Sequence, residues 1–327
     1  MKLLPKPSLS KSSIRKLKFL SIVIILILAS TLFLLTGPQA LDLVESKVSS
    51  ENIAPVLSNS GGAVLAETTE TPEVVLISAE IQQPTLTAVA AIAYDPNLEQ
   101  ILFQKNIHAK LAPASTTKIM TAIIASEHYN SGDLLTVPAT ALVGGSTMGL
   151  SAGEQLTFRS LLYGMMLNSG NDAAYTIAYN YPGGMEAFLA KMNSRAADLG
   201  AENTNFNNPA GFDSPNHYSS AYDLLLIGKE AMKNARLGTV FSTKETSVTS
   251  VDKSQSHVLK NLNKLLEEEG VLGIKTGTTE MAGESLVGLV ERNNQTILTV
   301  MLNSQDRFGE TKTLLNWIFT NYSWKIN

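Results

Sequence analysis

Cysteine is absent from this chain of 327 residues, and its absence excludes several kinds of chemistry. Without a thiol there is no disulfide scaffold, thiolate zinc site, iron–sulfur cluster or cysteine nucleophile. An excess of basic residues is also missing, because 25 Lys and Arg stand against 29 Asp and Glu. This balance argues against a nucleic acid as a partner. The cellular compartment stays open on this evidence, since exported proteins can also lack cysteine.

The charge that is present is concentrated at the N-terminus. Residues 1–18 contain six Lys and Arg residues and no acid, and residues 19–36 contain no charged residue. Eighteen helical residues rise roughly 27 Å, which matches the hydrocarbon core of a bilayer. A basic flank remains in the cytoplasm. We therefore expect a basic cytoplasmic tail over 1–18, a transmembrane signal anchor in the lipid bilayer over 19–36, and the remainder outside the cell membrane.

A cleaved signal peptide is the alternative interpretation of the same segment. Its apolar region is usually about 7–15 residues and ends at a small-x-small cleavage site. Here the apolar run is longer, and the best local cleavage site, which ends Pro38-Gln39-Ala40, has proline in place of the first small residue. The pattern favours the uncleaved anchor, while cleavage would give a secreted or periplasmic protein.

The segment after the predicted anchor is acidic and has poor periodicity. Between residues 41 and 81, seven acidic residues stand against Lys47 alone. Such a composition is typical of a solvated linker. The apolar stretch Val74–Ile77 has the composition of a short strand but no evident partner nearby. We therefore expect an acidic flexible linker over 37–83 and one folded domain over 84–327.

Strand patterns occur at both ends of the predicted domain, with helical patterns between them. Apolar, strand-like segments around turn residues predict two hairpins, at 86–94 with 100–104 and at 285–290 with 296–302. Helical periodicity occurs at 115–128, 157–167, 172–181, 184–199, 219–233 and 310–322. This order favours an α+β fold in which terminal strands build one antiparallel sheet around a central helical subdomain.

Ser115-Thr116-Thr117-Lys118 opens the first predicted helix. A spacing of three places Ser115 and Lys118 on one helix face, near enough for an amine to take the hydroxyl proton. The start of a helix also leaves backbone N–H groups free, and that of Ser115 can face a developing oxyanion. The same Ser-x-x-Lys spacing occurs at three other places, so the motif alone is weak evidence.

Ser169-Gly170-Asn171 lies in a polar break between two helical patterns. A hydroxyl there can relay a proton, and the amide of Asn171 can hold a substrate carbonyl. The same residues also suit the end of one helix and the N-cap of the next. Two further Ser-x-Asn matches occur elsewhere in the chain, so this motif is also weak by itself.

Lys275-Thr276-Gly277 follows an apolar stretch and occurs once in the chain. On a strand, Lys275 and Gly277 share a face, and glycine allows a ligand to lie close to the backbone. A lysine on an edge strand beside a turn is the structural alternative.

The three motifs together, in this order, form the set found in penicillin-binding proteins and class A β-lactamases. The segment 113–122 (PASTTKIMTA) resembles the D-alanyl-D-alanine carboxypeptidase family of serine peptidases, the S11 type of low-molecular-mass penicillin-binding protein. Further similarity lies at Met148-Gly149-Leu150, Gly153-Glu154, 167–174 (LNSGNDAA), 208–212 (NPAGF), His217, 263–266 (NKLL), 273–279 (GIKTGTT) and Ala282-Gly283. The resemblance covers 84–327 and implies a β-lactamase/DD-peptidase-like fold.

The resemblance implies a role for each motif residue. Ser115 is expected to attack the carbonyl between the last two D-alanines of a peptidoglycan stem peptide, with Lys118 as its general base. Ser169 is expected to carry a proton to the leaving amine, and Asn171 to bind the substrate peptide. The terminal D-alanine leaves, and water hydrolyses the acyl-enzyme.

The third motif is expected to bind the other end of the substrate. By the same resemblance, Lys275 and Thr276 hold the terminal carboxylate, Gly277 lies beside the ligand, and the N–H of Thr278 pairs with that of Ser115 as an oxyanion hole. β-Lactam antibiotics are expected to acylate the serine, and no metal or organic cofactor is implied. Many family members carry a second β-rich domain and a C-terminal anchor, so we expect the N-terminal span to anchor this chain instead.

Three other functions remain to be weighed. A class A-like β-lactamase needs a deacylating glutamate followed four residues later by asparagine, whereas Glu202 is followed by Phe206 at that offset. A catalytically weak penicillin-binding wall protein would keep the fold, but all three motifs are intact. A Ser-His-Asp hydrolase is disfavoured, because the chain has no Gly-x-Ser-x-Gly elbow and its four histidines lie in unrelated contexts. Those histidines also lack the His-x-x-x-His spacing of a helical zinc site.

Overall fold

The computed structural model describes residues 73–78 and 80–325. The predicted cytoplasmic tail, the predicted membrane span and most of the predicted linker lie outside these residues. Within them, no helix has both the length and the apolar character that crossing a bilayer requires.

Helices fill the middle of the described chain. The helices of the described residues are α1 (Lys118–His128), α2 (Phe158–Leu167), α3 (Asn171–Asn180), α4 (Gly184–Asp198), α5 (Ala221–Met232), α6 (Ala235–Ser242) and α7 (Arg307–Asn321). Polar side chains define where several of them start, since Thr157 accepts a hydrogen bond from the N–H of Ser160 and Ser220 accepts one from that of Asp223. All six predicted helices are present, and α6 is an additional one.

Strands lie mainly at the two ends. The strands of the described residues are β1 (Glu73–Leu76), β2 (Ala90–Asp95), β3 (Gln100–Lys105), β4 (Leu134–Thr136), β5 (Gln155–Thr157), β6 (Glu245–Thr249), β7 (Ser256–Lys260), β8 (Val271–Thr279), β9 (Gly283–Arg292), β10 (Gln295–Ser304) and β11 (Tyr322–Lys325). Five of them form an antiparallel sheet in the order β3-β2-β10-β9-β8. The predicted sheet of terminal strands is therefore confirmed, and β8 is one of its edges.

The central sheet is covered on both faces. Ile92 of β2 packs into the large core that contains the central helices, whereas its neighbours Ala91 and Ala93 pack into a second core with Leu314 and Ile318 of α7. Because side chains alternate between the faces of a strand, burial of both faces explains why β2 reads as a continuous apolar run.

The linker prediction is wrong at its C-terminal end. Residues 73–76 form β1, which pairs antiparallel with β11 at the other end of the domain. Val74 of this strand is 1% exposed. The sequence showed no partner for this segment because the partner strand lies at 322–325 and carries no local signal. The folded domain therefore includes residues ahead of Pro84.

Three smaller elements also differ from the sequence prediction. The helix expected from Ser115 begins with a 3₁₀ turn, Ala114–Thr117, and becomes α-helical at Lys118. The two-stranded antiparallel pairs β4–β5 and β6–β7 were not predicted. Their strands are three to five residues long, and the exposed side of β6–β7 is polar except for Val258, so there is little apolar periodicity to detect.

We expect Val74→Ala to lower the free energy of unfolding by about 1–3 kcal/mol, because it removes two buried methyl groups. Ile77→Ala is the matched control, since Ile77 is 63% exposed just after the same strand and should change stability by less than about 0.5 kcal/mol. Urea unfolding measures both. Equal stability of the two variants would show that β1 is not part of the cooperative core.

Candidate active site

The 3₁₀ turn at the start of α1 brings Ser115 and Lys118 together. The Lys118 amine lies 2.9 Å from the Ser115 hydroxyl oxygen. Ser115 is half-buried at the surface end of this contact, while Lys118 is completely buried. The sequence prediction that these side chains share one face is confirmed by this distance.

Two further oxygen atoms surround the Lys118 amine. The amide oxygen of Asn171 and the carbonyl of Ala210 accept hydrogen bonds from it at 2.8 and 2.6 Å. A neutral amine has two N–H bonds and one lone pair. When Asn171 and Ala210 accept both N–H bonds, the lone pair is left for the hydroxyl proton of Ser115. No carboxylate is among the described hydrogen-bond partners of this amine.

The electrostatic environment favours that neutral amine. Burial lowers the pKa of Lys118 well below its usual value, and the positive charge of Lys275 lowers it further. The carboxylate of Asp172 raises this pKa and partly opposes the other two effects. The result is an amine that is more easily neutral than that of an exposed lysine, and so better able to take a proton from a hydroxyl.

The Ala210 carbonyl is held in place by a compact loop. The side-chain oxygen of Asn208 accepts hydrogen bonds from the N–H groups of Ala210, Gly211 and Phe212. Gly211 has a φ of +92°, and a Cβ there would lie 1.9 Å from the carbonyl oxygen of Ala114. This segment was noted in the sequence only for its resemblance; its backbone carbonyl contact with Lys118 has no signature in residue type.

The second motif lies between α2 and α3. Ser169 is buried and has a φ of +57°, which places it in the left-handed region. Asn171 begins α3; its N–H donates to the Ser146 carbonyl and its side-chain amide donates to the Gly144 carbonyl. Asn171 is therefore held on one side by the 144–150 loop while its oxygen contacts Lys118. The N-cap of α3 is Gly170, which has no side chain, so α3 lacks the side-chain N-cap that the sequence suggested for this break.

Asp172 connects that loop to the start of α3. Its buried carboxylate accepts hydrogen bonds from the N–H groups of Met148, Gly149, Leu150 and Ala173. These four donors satisfy a charge that would otherwise be costly to bury. Sequence reasoning did not single out Asp172, although an acid in the first turn of a helix is a recognisable signal.

The third motif lies on β8, beside the 3₁₀ turn that carries Ser115. Lys275 is 2% exposed, and its amine donates to the Thr276 carbonyl at 3.0 Å. A Cβ at Gly277 would lie 2.9 Å from the Ser115 nitrogen. The glycine thus allows β8 to approach the backbone of Ser115, in addition to the ligand contact expected from the sequence. Thr278, the next residue of β8, is exposed.

Two charged residues that the sequence analysis missed support β8. Arg307, at the start of α7, donates to the Gly277 carbonyl at 2.8 Å and to the hydroxyl of Thr278. Burial lowers the pKa of Lys275 to about 7, and the Arg307 charge contributes to this lowering. Asp213 accepts hydrogen bonds from the Thr279 hydroxyl and the Met281 N–H, and so joins the 208–213 loop to the end of β8.

His217 supports the 3₁₀ turn that carries Ser115, on the side of Thr117. Its Nδ1 accepts a hydrogen bond from the N–H of Asn207, so in the neutral ring the proton is on Nε2, 2.8 Å from the Thr117 hydroxyl. Burial lowers the pKa of His217 to about 4, with Asp213 opposing this effect and Lys118 adding to it. The ring is a structural hydrogen-bonding group rather than a proton-transfer partner of Ser115.

The site as a whole combines the Ser115 hydroxyl, the buried Lys118 amine and a positively charged wall formed on the β8 side. Ser115 and Lys118 are suited to nucleophilic attack with proton transfer. Lys275 and Arg307 make the β8 side electropositive and suited to a carboxylate. Within residues 73–78 and 80–325, no group of three or more metal-ligating side chains is close enough to hold an ion.

Known proteins are similar to this chain over most of its length. The family model described as D-alanyl-D-alanine carboxypeptidase matches residues 77–306. The D-alanyl-D-alanine carboxypeptidase DacF of Bacillus subtilis is 33% identical over 245 residues, which are 72% of this chain and 63% of that protein. The chain thus spans less than two thirds of the length of that relative. A D-alanyl-D-alanine carboxypeptidase of Streptomyces sp. strain K15 is 33% identical, with 73% of this chain and 89% of that protein covered.

Solved structures give the same result. The crystal structure of the Streptomyces K15 DD-transpeptidase has a TM-score of 0.70 at 32% identity and covers 73% of this chain and 100% of that chain. A penicillin-binding protein homologue from Mycobacterium tuberculosis has a TM-score of 0.70 at 29% identity. The match covers 75% of this chain and 96% of that chain. The described domain therefore has a penicillin-binding, DD-peptidase type of fold with mixed helix and sheet.

We expect Lys275→Gln to move the acid limb of Ser115 reactivity to higher pH. The Lys275 pKa of about 7 means that its charge acts on Lys118 mainly at and below neutral pH. Removing that charge raises the Lys118 pKa, so the amine loses its proton only at higher pH. The rate of modification by a serine-reactive fluorophosphonate, measured against pH, reports this limb. Lys244→Gln, at an exposed ion pair with Glu267, is the control and should leave the pH midpoint of this limb unchanged. The same midpoint in both variants would contradict the electrostatic coupling of Lys275 to Lys118.

We expect wild-type stability to fall by about 2 kcal/mol between pH 7 and pH 4.5 through His217 alone. Its folded pKa of about 4 lies below its ordinary value of 6.5. The unfolded chain therefore binds the proton first, and the stabilisation is present above pH 6.5 and lost as pH falls toward 4. The free energy of unfolding of His217→Gln, measured in urea, should fall by correspondingly less over this pH interval. His108→Gln, at an exposed histidine, should lose as much as wild type.

Proposed function

Because this chain belongs to the D-alanyl-D-alanine carboxypeptidase family, we propose that it is a serine-type D-Ala-D-Ala carboxypeptidase. Its substrate is the peptidoglycan stem pentapeptide, from which it removes the terminal D-alanine through a Ser115 acyl-enzyme. Penicillins acylate the same serine. The observation that carries the proposal is the Lys118 amine, 2.9 Å from the Ser115 hydroxyl, with its other hydrogen-bonding positions taken by Asn171 and Ala210.

Acylation begins with proton transfer from Ser115 to the neutral Lys118 amine. The Ser115 oxygen attacks the carbonyl carbon of the terminal peptide bond, and the carbonyl oxygen becomes an oxyanion. The N–H groups of Ser115 and Thr278 are assigned to stabilise that charge. Support comes from the close passage of β8 along the Ser115 backbone, which the missing Cβ of Gly277 permits.

Departure of D-alanine requires a proton on its nitrogen. Ser169 is assigned to carry this proton from Lys118 to the leaving amine, and Asn171 to hold the substrate peptide. Support comes from the placement of both residues at the turn between α2 and α3, where Asn171 already contacts the Lys118 amine. Water then attacks the acyl-enzyme, and Lys118 acts as base again by microscopic reversibility.

The β8 side is assigned to the substrate's terminal carboxylate. Lys275 and Thr276 bind it, and the neighbouring Arg307 adds a second positive charge to this wall. Among the described residues, Lys275 has no carboxylate within salt-bridge distance, and Arg307 has only Glu284, at 4.0 Å. A bound carboxylate would therefore supply a counter-charge to Lys275.

A class A-like β-lactamase is a weaker proposal for this site. Fast hydrolysis of the penicilloyl ester needs a carboxylate that activates water. The Lys118 amine has an amide and a carbonyl oxygen as its partners, and Glu202 is exposed in a turn after α4. We therefore expect a long-lived penicilloyl adduct. A catalytically weak wall-binding protein would give the adduct without peptide turnover.

The location follows from the substrate and the N-terminal sequence. Peptidoglycan lies outside the cytoplasmic membrane, so the catalytic domain must be extracytoplasmic. The uncharged segment 19–36 is assigned as its membrane anchor, with the acidic segment that follows it as the tether to the domain.

We expect the protein to release D-alanine from a synthetic stem pentapeptide and Ser115→Ala to abolish the release. The measurements are free D-alanine in a coupled assay and the mass of the protein after exposure to penicillin, which should increase by one penicilloyl group in wild type only. Ser254→Ala, at an exposed serine, is the control and should keep both properties.

Each contrary outcome of these measurements has its own meaning. Release by Ser115→Ala would disprove the nucleophile. A penicilloyl adduct without peptide turnover would indicate the weak wall protein, and rapid turnover of penicillin would indicate the β-lactamase.

A further inference from the structure

A small cavity lies between α2 and α6, and none of its lining residues belongs to the site described above. Its volume is about 130 Å³. The buried side chains of Leu162 and Val240 contribute apolar lining. Arg159 from α2 and Arg236 from α6 also line it. Two guanidinium groups opening on one small cavity are an unusual arrangement, since like charges repel.

Neither guanidinium has an acidic partner. Within the described residues, carboxylates lie within 4.0 Å of Arg195 and Arg307 but of neither Arg159 nor Arg236. The nearest acid along the adjoining turn, Asp133, accepts a hydrogen bond from the Asn130 N–H instead. The cavity therefore has two positive charges without an internal counter-ion.

Both arginines are held by aromatic rings. The Arg159 guanidinium carbon lies 5.6 Å from the centre of the Tyr163 ring, and that of Arg236 lies 5.9 Å from the Phe158 ring. Arg236 also donates to the Tyr129 carbonyl at 3.1 Å. Packing on a ring restrains the side chain, and it leaves N–H groups at the edge of the guanidinium plane available to a ligand.

The hydroxyl groups around the cavity can complete an anion site. Ser131 and Tyr163 line it, and no hydrogen bond of either hydroxyl occurs among the described residues. A volume of 130 Å³ is below the roughly 300 Å³ at which organic ligand pockets begin. It corresponds to about four water molecules at about 30 Å³ each. The size therefore suits one small oxyanion.

We propose that this cavity binds a phosphate group, with Arg159 and Arg236 as its principal ligands. A planar carboxylate is satisfied by one guanidinium fork. Two guanidinium groups with two hydroxyl groups supply donors for several oxygens and charge for a dianion, which a tetrahedral phosphate has. The group can come from free phosphate, which is largely a dianion near neutral pH, or from a lipid phosphodiester headgroup, which presents two charged oxygens and a single negative charge.

Phosphate binding would also join two elements of the peptidase site. Helix α2 ends at the turn that carries Ser169, and α6 packs against β8, where a Cβ on Gly273 would lie 2.7 Å from the Phe241 Cβ. A ligand that contacts both helices stabilises the folded chain by mass action. Phosphate should therefore raise the melting temperature in a saturable manner.

The test is titration of the protein with inorganic phosphate at constant ionic strength. Calorimetry and thermal unfolding are measured on wild type, Arg159→Gln and Arg236→Gln. We expect each substitution to weaken binding by about tenfold or more, because each removes a charge-assisted contact. Arg159→Lys keeps the charge but loses the fork and should also weaken binding.

Arg292→Gln is the matched control. Arg292 also lies over a ring, 5.5 Å from the centre of Phe319, and has no carboxylate within 4.0 Å among the described residues, but it is outside the cavity. It should bind phosphate as wild type does. Melting temperatures without phosphate show whether each variant is folded.

Absence of saturable binding in wild type, or equal weakening in Arg292→Gln, would overturn the proposal. A second titration with phosphatidylglycerol and phosphatidylcholine vesicles distinguishes the sources. Association with the first vesicle only, lost in Arg159→Gln, supports a lipid phosphate at this cavity. Phosphate binding without such association supports free phosphate.

Discussion

The arrangement of the site depends on the burial of one lysine amine whose described hydrogen-bond partners include no carboxylate. A charged amine in that position would be strongly disfavoured, so burial itself prepares Lys118 to accept a proton. The amide oxygen of Asn171 and the carbonyl of Ala210 satisfy the N–H groups without adding charge. The same two contacts fix the direction of the lone pair. Desolvation and orientation are thus produced by the same surroundings.

This environment requires three separated segments to meet at one point. The 208–212 loop, the start of α3 and the edge strand β8 each approach the 3₁₀ turn of Ser115. Two of the approaches depend on glycine, because a Cβ at Gly211 or Gly277 would collide with the backbone of Ala114 or Ser115. The antiparallel sheet supplies β8, and the central helices supply the other segments. The geometry of the site therefore depends on close contacts between backbone segments as much as on its side chains.

Sequence reasoning worked where a pattern is local. Helix periodicity, hairpin turns and the three motifs gave the sheet of terminal strands and the pairing of Ser115 with Lys118. It failed where the information lies in contacts between distant segments. The carbonyl of Ala210, the support of β8 by Arg307 and the partner of β1 involve backbone groups or neighbours far along the chain. Asp172 lies between these cases, since its position in a first turn was visible but its three N–H donors in the 144–150 loop were not.

The pairing of β1 with β11 places the beginning and the end of the described domain side by side. Trp324 of β11 also donates a hydrogen bond to Asp95, so this two-stranded ribbon is attached to the central sheet. Among the described residues, each strand of this ribbon has only the other as its neighbour in a sheet. Removal of either strand therefore leaves the other strand without its partner. A fusion or affinity tag next to one strand can disturb both strands of the ribbon.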